Sequence, residues 1–404
     1  MRWETARPPS WGTAIPERGQ RSARVQPSAS PPHPTRCPTE RQREGEERTM
    51  AFRVQTVMLG PDTDQYAGDG QGTADIAGIA AASRRTEELG YDGLTTPEAG
   101  HDAFLPLVIA AEHTQDIKLG TNVAIAFPRS PLVTAQVAWD LQQLSKGRFQ
   151  LGLGTQVKAH VERRYASTWT GPPGPRLREY VQCMKAMFET FQKGEKPGFE
   201  GEHYRFTLMN PFFNPGPIEY PHPEIHLAAV NPYMARLAGE LCDGLRLHPI
   251  ATFRYTREVV LPSLVAGAEA GGRKLADLDL IGAPFLAIAK DEEGIEAAKQ
   301  ALKQHIAFYA STPTYHAVLE FHGWEDAGKA LHQMSREGRW KEMPQQITDE
   351  MLDEWAIVGT CDELVGKIKE RCSDIFSTVL LDLEPQLHRD EAWVAETIEA
   401  LHSD

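Results

Sequence analysis

A carboxylate and an imidazole three residues apart, Glu98 and His101, are the first side chains along the chain that could exchange a proton with a substrate. They stand in the polar stretch Thr95-Thr96-Pro97-Glu98-Ala99-Gly100-His101-Asp102. General acid–base chemistry uses such a pair, although the same residue types also cap helices or solvate loops. A second candidate is His248, two residues after Arg246 in Arg246-Leu247-His248-Pro249. Residues i and i+2 of a strand share a face, and an arginine beside a histidine suits an anionic or oxygen-rich ligand. The segments Gly152-Leu153-Gly154-Thr155-Gln156 and Ala228-Ala229-Val230-Asn231-Pro232 offer small side chains instead. These leave room for a flat ring, or else merely permit tight strand–helix packing. A helix starting at Pro232 would present its first amides to a phosphate at the positive end of its dipole. His222-x-x-x-His226 has the spacing of a helical metal pair, but Pro223 and the strand-like residues after it forbid that helix. No metal is expected, and no serine or cysteine stands in a nucleophile's context.

The elements that would position these groups follow from alternation. After Met50, short apolar runs alternate with amphipathic helical stretches, the pattern of parallel βα units. Strands are expected at Phe52–Leu59, Tyr91–Thr96, Ile117–Ala126, Arg148–Leu153, Glu224–Val230, Gly244–Leu247, Leu278–Ala289 and Phe376–Leu383. Eight strands separated by helices predict an α/β fold of the (β/α)8 TIM barrel type. Residues beyond the barrel's needs fall at 155–175, 194–222 and 310–355, which predicts insertions after strands 4 and 7. Functional residues of such barrels lie at the carboxyl ends of strands, which makes 155–175 the expected substrate lid. A dinucleotide fingerprint at Gly152-Leu153-Gly154-Thr155-Gln156-Val157 lacks its third glycine and follows the fourth strand, so it is rejected.

Composition bounds the partners. Forty-two basic against 56 acidic residues give a net charge of −14, which does not suit nucleic acid or an acidic membrane surface. No apolar run approaches the ~18 residues of a membrane span. Five dispersed cysteines, without a Cys-x-x-Cys, fit neither a disulfide framework nor a zinc knuckle and suit a reducing cytoplasm. Residues 1–49 hold eight of the 29 prolines, and nine arginines against six glutamates, with few aliphatic side chains. Such a segment buries too little apolar surface to offset its ordering entropy. Two regions are therefore expected: a disordered tail, 1–49, and a barrel, 50–404.

Several ordered motifs resemble the bacterial luciferase-like flavin and deazaflavin superfamily. They are Glu87-Glu88-Leu89-Gly90-Tyr91-Asp92-Gly93-Leu94, Ile117-Lys118-Leu119-Gly120-Thr121-Asn122-Val123, and Pro131 to Leu144 followed by Ser145-Lys146-Gly147-Arg148-Phe149-Gln150-Leu151-Gly152-Leu153-Gly154. Ile225 to Gly244, Val358-Gly359-Thr360 and the Thr378 to Leu383 strand continue the likeness, which spans nearly all of 50–390. Within the superfamily the chain is most similar to the branch of oxidoreductases using coenzyme F420, a deazaflavin. The resemblance implies a (β/α)8 barrel holding a tricyclic ring at the strand ends. It implies that Asn122-Val123 forms a cis bulge behind the ring and that Glu98 contacts the ring. Thr155 and Gln156 would touch the cofactor, and the amides of Val230 and Asn231 would bind its phosphate. One departure matters: the family's sugar-phosphate dehydrogenases carry a catalytic histidine where this chain has Ala99, and a later glutamate where it has Val157. That role would pass to His248 or His101.

The resemblance thus implies a cytoplasmic F420-dependent oxidoreductase moving a hydride between C5 of the deazaflavin and a small organic molecule. An FMN-dependent monooxygenase and a cofactor-free barrel subunit are the alternatives. Dimers occur in the family, so a homodimer is an expectation. Trp169, Phe212, Phe213 and Trp324 stand in the inserted segments, where they would line an apolar pocket or form insert core.

Overall fold

The computed structural model describes residues 51–58, 76–383 and 390–403; the expected tail, 1–49, lies outside the described residues. Eight parallel strands form the frame: β1 Arg53–Val57, β2 Gly93–Thr96, β3 Lys118–Thr121, β4 Phe149–Gly154, β5 Glu224–Ala229, β6 Gly244–Leu247, β7 Asp279–Gly282 and β8 Thr378–Leu380. Each pairs with the next in sequence, and β8 returns to β1, so the sheet closes on itself. Helices occupy the connections, among them Ile79–Glu88, Leu105–His113, Pro131–Leu144, Pro173–Lys193, Pro232–Leu241, Leu261–Ala270 and Leu364–Cys372. This is a (β/α)8 barrel.

Strand alternation explains why these segments are strands. Leu119, Leu151, Leu153, Ile225, Leu227, Leu245 and Val379 are almost wholly buried. They alternate along their strands with the residues that meet across the barrel interior. That inner set is polar. Arg53 is ion-paired with Asp279 at 2.6 Å, and Thr378 donates to the same carboxylate at 2.9 Å. Gln55 donates to Gln150 at 3.2 Å, and Gln150 donates to Glu224 at 2.7 Å. His226 is fully buried on β5, so the His222/His226 pair is not helical, as Pro223 requires.

One expected strand is corrected. Leu278–Ala289 is not continuous: β7 ends at Gly282, and Phe285–Ala289 pairs with Ala356–Thr360 in a separate two-stranded parallel sheet. Pro284 between them has no amide for a ladder. A side chain at Gly282 would also run into the Phe376 ring at 2.2 Å. Segment 310–355 is helical, with Glu325–Glu337 and Asp349–Trp355 as its longer pieces. Among the described residues, no helix is long and apolar enough to cross a membrane.

Candidate active site at the barrel mouth

The loops after β2 and β3 are clamped together. Glu98 is the centre of the clamp: its carboxylate accepts from the Ile125 amide at 2.8 Å and from Arg129 Nη1 at 2.6 Å. Arg129 Nη2 reaches Asp102 at 3.2 Å, and Asp102 in turn accepts the amides of Phe104 and Leu105 to start the helix Leu105–His113. Glu98 is therefore joined to Arg129 and not to His101, which is half-buried nearby in the sequence. The spacing suggested an acid–base pair; the contact Glu98 makes is an ion pair with Arg129. Arg129 was invisible to that reading because it becomes a partner only when the β3 loop folds back over β2.

Between these anchors the backbone turns sharply. The Asn122–Val123 peptide is cis, and the chain resumes strand geometry at Ala124–Ile125 beside Leu153 and Gly154. Asn122 and Val123 are both half-buried. A Cβ on Gly154 would lie 2.7 Å from Val123 Cγ2 and 3.8 Å from the Ala228 methyl. Val123, Gly154 and Ala228 thus make one floor of small groups at the strand ends. Gly152 serves another purpose than the ring space expected of it. A Cβ there would strike the Thr121 carbonyl at 2.0 Å and Arg246 Cδ and Nε at 2.8 Å, so the missing side chain lets β3 and β4 close together beside the arginine. Arg246 is consequently not at the rim with His248. It is 2% exposed, inside the barrel, with Nη2 3.3 Å from the Gln150 side-chain oxygen.

His248 occupies a pocket of rings that the local sequence did not announce. Tyr309 meets it edge-on at 4.6 Å, and Tyr315 stacks on it at 4.9 Å. His305 lies beyond, 4.9 Å from the Tyr309 ring. His305 and Tyr309 are one turn apart on the helix Glu292–Ala310, a spacing legible in the sequence though its target was not. The Ile250 amide donates to His248 Nδ1 at 3.2 Å, which places the proton of the neutral ring on Nε2. Burial, then the neighbouring His305, pushes the His248 pKa down to about 3; burial alone takes His305 to about 4. Both are neutral at physiological pH.

Thr155 and Gln156 follow β4 half-buried, Gln156 with φ of 57° and its side chain accepting the Val157 amide at 2.9 Å. The segment after them is pinned over the β3 loop. Arg176 donates to the Thr168 carbonyl at 3.1 Å while its guanidinium lies 4.2 Å over the Phe127 ring, and Trp169 packs edge-on to Phe127 at 5.7 Å. Burial, then Glu98, raises the Tyr165 phenol pKa, which sets this side chain against the clamp. Val230 and Asn231 are half-buried at the start of the helix Pro232–Leu241, where the Asn231 side chain accepts the Met234 amide at 3.0 Å. Trp324 belongs to the insert core, stacked on His322 at 4.2 Å, whereas Phe212 and Phe213 are 89% and 61% exposed. A cavity of about 690 Å³ lies elsewhere, bordered by Arg257 and Arg371, and contains none of the expected site residues.

The luciferase-like monooxygenase family profile matches residues 56–377. An uncharacterized protein of Mycobacterium tuberculosis is 43% identical over 312 residues, covering 77% of this chain and 92% of that one. A 5,10-methylenetetrahydromethanopterin reductase of Archaeoglobus fulgidus is 31% identical over 293 residues, covering 70% and 82%. Among solved structures, the coenzyme F420-dependent tetrahydromethanopterin reductase of Methanopyrus kandleri superposes with a TM-score of 0.65 at 20% identity, over 86% of this chain and 97% of that one. With the closed barrel and a matched region that runs from β1 to the threshold of β8, these likenesses place the chain in the luciferase-like monooxygenase family, a family of oxidoreductases and monooxygenases.

Proposed function

We propose that the protein is an F420-dependent oxidoreductase that moves a hydride to or from a small organic substrate. The observation that carries this reading is the floor of Val123, Gly154 and Ala228 at the strand ends, where only small side chains stand and Val123 packs directly over Gly154. The F420 dependence named for the Methanopyrus kandleri neighbour supports the choice of cofactor. When bound, the deazaflavin supplies a carbon, C5, that accepts or gives a hydride. The chain's residues do the rest. Val123 backs the ring, Thr155 and Gln156 border it, and the amides around Val230 and Asn231 take a phosphate at the helix start. Glu98 holds the β2 and β3 loops in register around the ring through Arg129.

His248 faces the substrate as a neutral donor. Its Nδ1 is occupied by the Ile250 amide, which leaves the proton of the neutral ring on Nε2. Tyr309 and Tyr315 fix the plane of the imidazole, so Nε2–H is held in one direction for a substrate oxygen. His101 would be the substitute donor. The lid at 155–175 excludes water from the reacting atoms.

Titrating the purified protein with F420 and with FMN, followed by absorbance, tests the reading. F420 is expected to bind at least tenfold more tightly. Tight FMN with weak F420 would favour the monooxygenase reading, and binding of neither would favour a cofactor-free barrel.

A further inference from the structure

Arg246 is a cation with no acid in contact. Its side chain is buried on β6 and makes one hydrogen bond among the described residues, Nη2 to Gln150, while Nε and Nη1 have no partner. The acids that face the barrel interior bond elsewhere: Asp279 holds Arg53, Ser377 and Thr378 through Oδ1, its Oδ2 being without a hydrogen-bond partner among the described residues, and Glu224 holds Lys118, Gln150 and His226. Gly120 and Gly152 border it: a Cβ would lie 2.9 Å from Nη2 at the first and 2.8 Å from Nε at the second, while the Gln150 carbonyl at 3.0 Å and the Thr121 carbonyl at 2.0 Å keep the same positions clear of side chains. Burial brings its pKa down to about 10, with Asp279 and Glu224 opposing the shift, so it stays charged at neutral pH. A buried charge without a contacting counter-charge is destabilising by several kcal/mol. A guanidinium kept inside the barrel with Nε and Nη1 unpartnered among the described residues argues that the charge has a use.

Its position indicates that use. Arg246 pairs in register with Ala228, and Gly152 precedes Gly154 by one inward step. The guanidinium therefore lies under the floor formed by Val123, Gly154 and Ala228. We propose that Arg246 is held beneath the mouth to balance the negative charge that a ring seated there gains on reduction. The inference rests on the cofactor reading above. A hydride brings one proton and two electrons to a ring carbon, so the ring's charge falls by one. A proton from solvent would cancel that charge; a guanidinium below the ring favours keeping it. Arg246 is thus a positioning charge that acts on the ring through the floor, without touching the substrate.

The test uses the full-length protein loaded with whichever of F420 and FMN binds. The pKa of the reduced, bound cofactor is read from its absorbance, and its midpoint potential is measured against redox dyes. In the wild type the bound reduced form should lose its ring proton at a pH at least one unit below that of the free cofactor. Arg246→Met should raise that pKa at least tenfold in K and lower the potential by about 30 mV per tenfold for a two-electron couple. Arg246→Lys should retain most of both effects, with oxidised-cofactor affinity and Tm separating out any loss of fold. If Arg246→Met does not fold, the wild type against free cofactor and Arg246→Lys decide the matter. A wild-type pKa equal to that of the free cofactor, or an unchanged potential in a folded Arg246→Met protein, would overturn the inference while leaving the cofactor reading intact. A wild type that binds neither cofactor overturns both.

Discussion

Replacing Gly154 by alanine is the sharpest perturbation of the barrel mouth. The added methyl would stand 2.7 Å from Val123 Cγ2, about 1 Å inside the usual carbon–carbon separation of about 3.5–4.0 Å. Ala228, at 3.8 Å, is not disturbed, so the whole conflict falls on Val123. Val123 cannot sink, because Gly154 forms the strand beneath it, and so it must rise or swing aside. Overpacking of this kind costs about 1–3 kcal/mol. If Val123 rises into the ring's place, a loss of the same size appears in cofactor binding, roughly 5-fold to 150-fold in Kd. Removing the obstructing methyls should reverse it. The assay is a double-mutant cycle of Gly154→Ala, Val123→Ala and the pair, with F420 titrations and urea unfolding on each. The pair should bind better than Gly154→Ala alone, with a coupling of about 1 kcal/mol or more. Gly154→Ala with wild-type affinity and stability would refute the assignment of Val123 and Gly154 to one floor.

Three further outcomes follow from the geometry. His248→Ala should lower turnover by about 100-fold, the scale of a lost proton donor, with little change in F420 affinity; untouched turnover would move the donor role to His101. Glu98→Gln should lower stability by about 1–3 kcal/mol in urea unfolding, because it removes the nearer and more buried of Arg129's two carboxylate partners. Arg129→Met on top of it should add little, and strict additivity would show that the pair is not coupled. His248 and His305 stay neutral when folded but titrate near pH 6.5 when unfolded. Between about pH 6.5 and 4 the unfolded chain therefore binds the extra protons, and stability falls with pH by up to about 1.4 kcal/mol per unit for each histidine. His305→Phe should flatten that slope between pH 7 and 5; an unchanged slope would remove His305 from the account.

The sequence by itself determined the frame, because the period of the strands and the spacing of the helices are local properties. Segments such as Gln150-Leu151-Gly152-Leu153-Gly154 carry their two faces in the order of their residues, and the eight barrel strands fall where that alternation predicts. The bulge at Asn122–Val123 was also legible, through the motif around it. What lies opposite a side chain is not local, and there only the tertiary structure decided. Glu98 read as a proton donor until Arg129, 31 residues later, came within 2.6 Å of it. Arg246 read as facing a ligand beside His248, yet it is buried inside the barrel with its guanidinium on Gln150 of β4. His248 received its tyrosines from a helix and a loop more than 60 residues downstream. A strand's hydrogen bonds and face pattern are written within a few residues, whereas a charge or an imidazole takes its character from whatever the closed barrel sets against it.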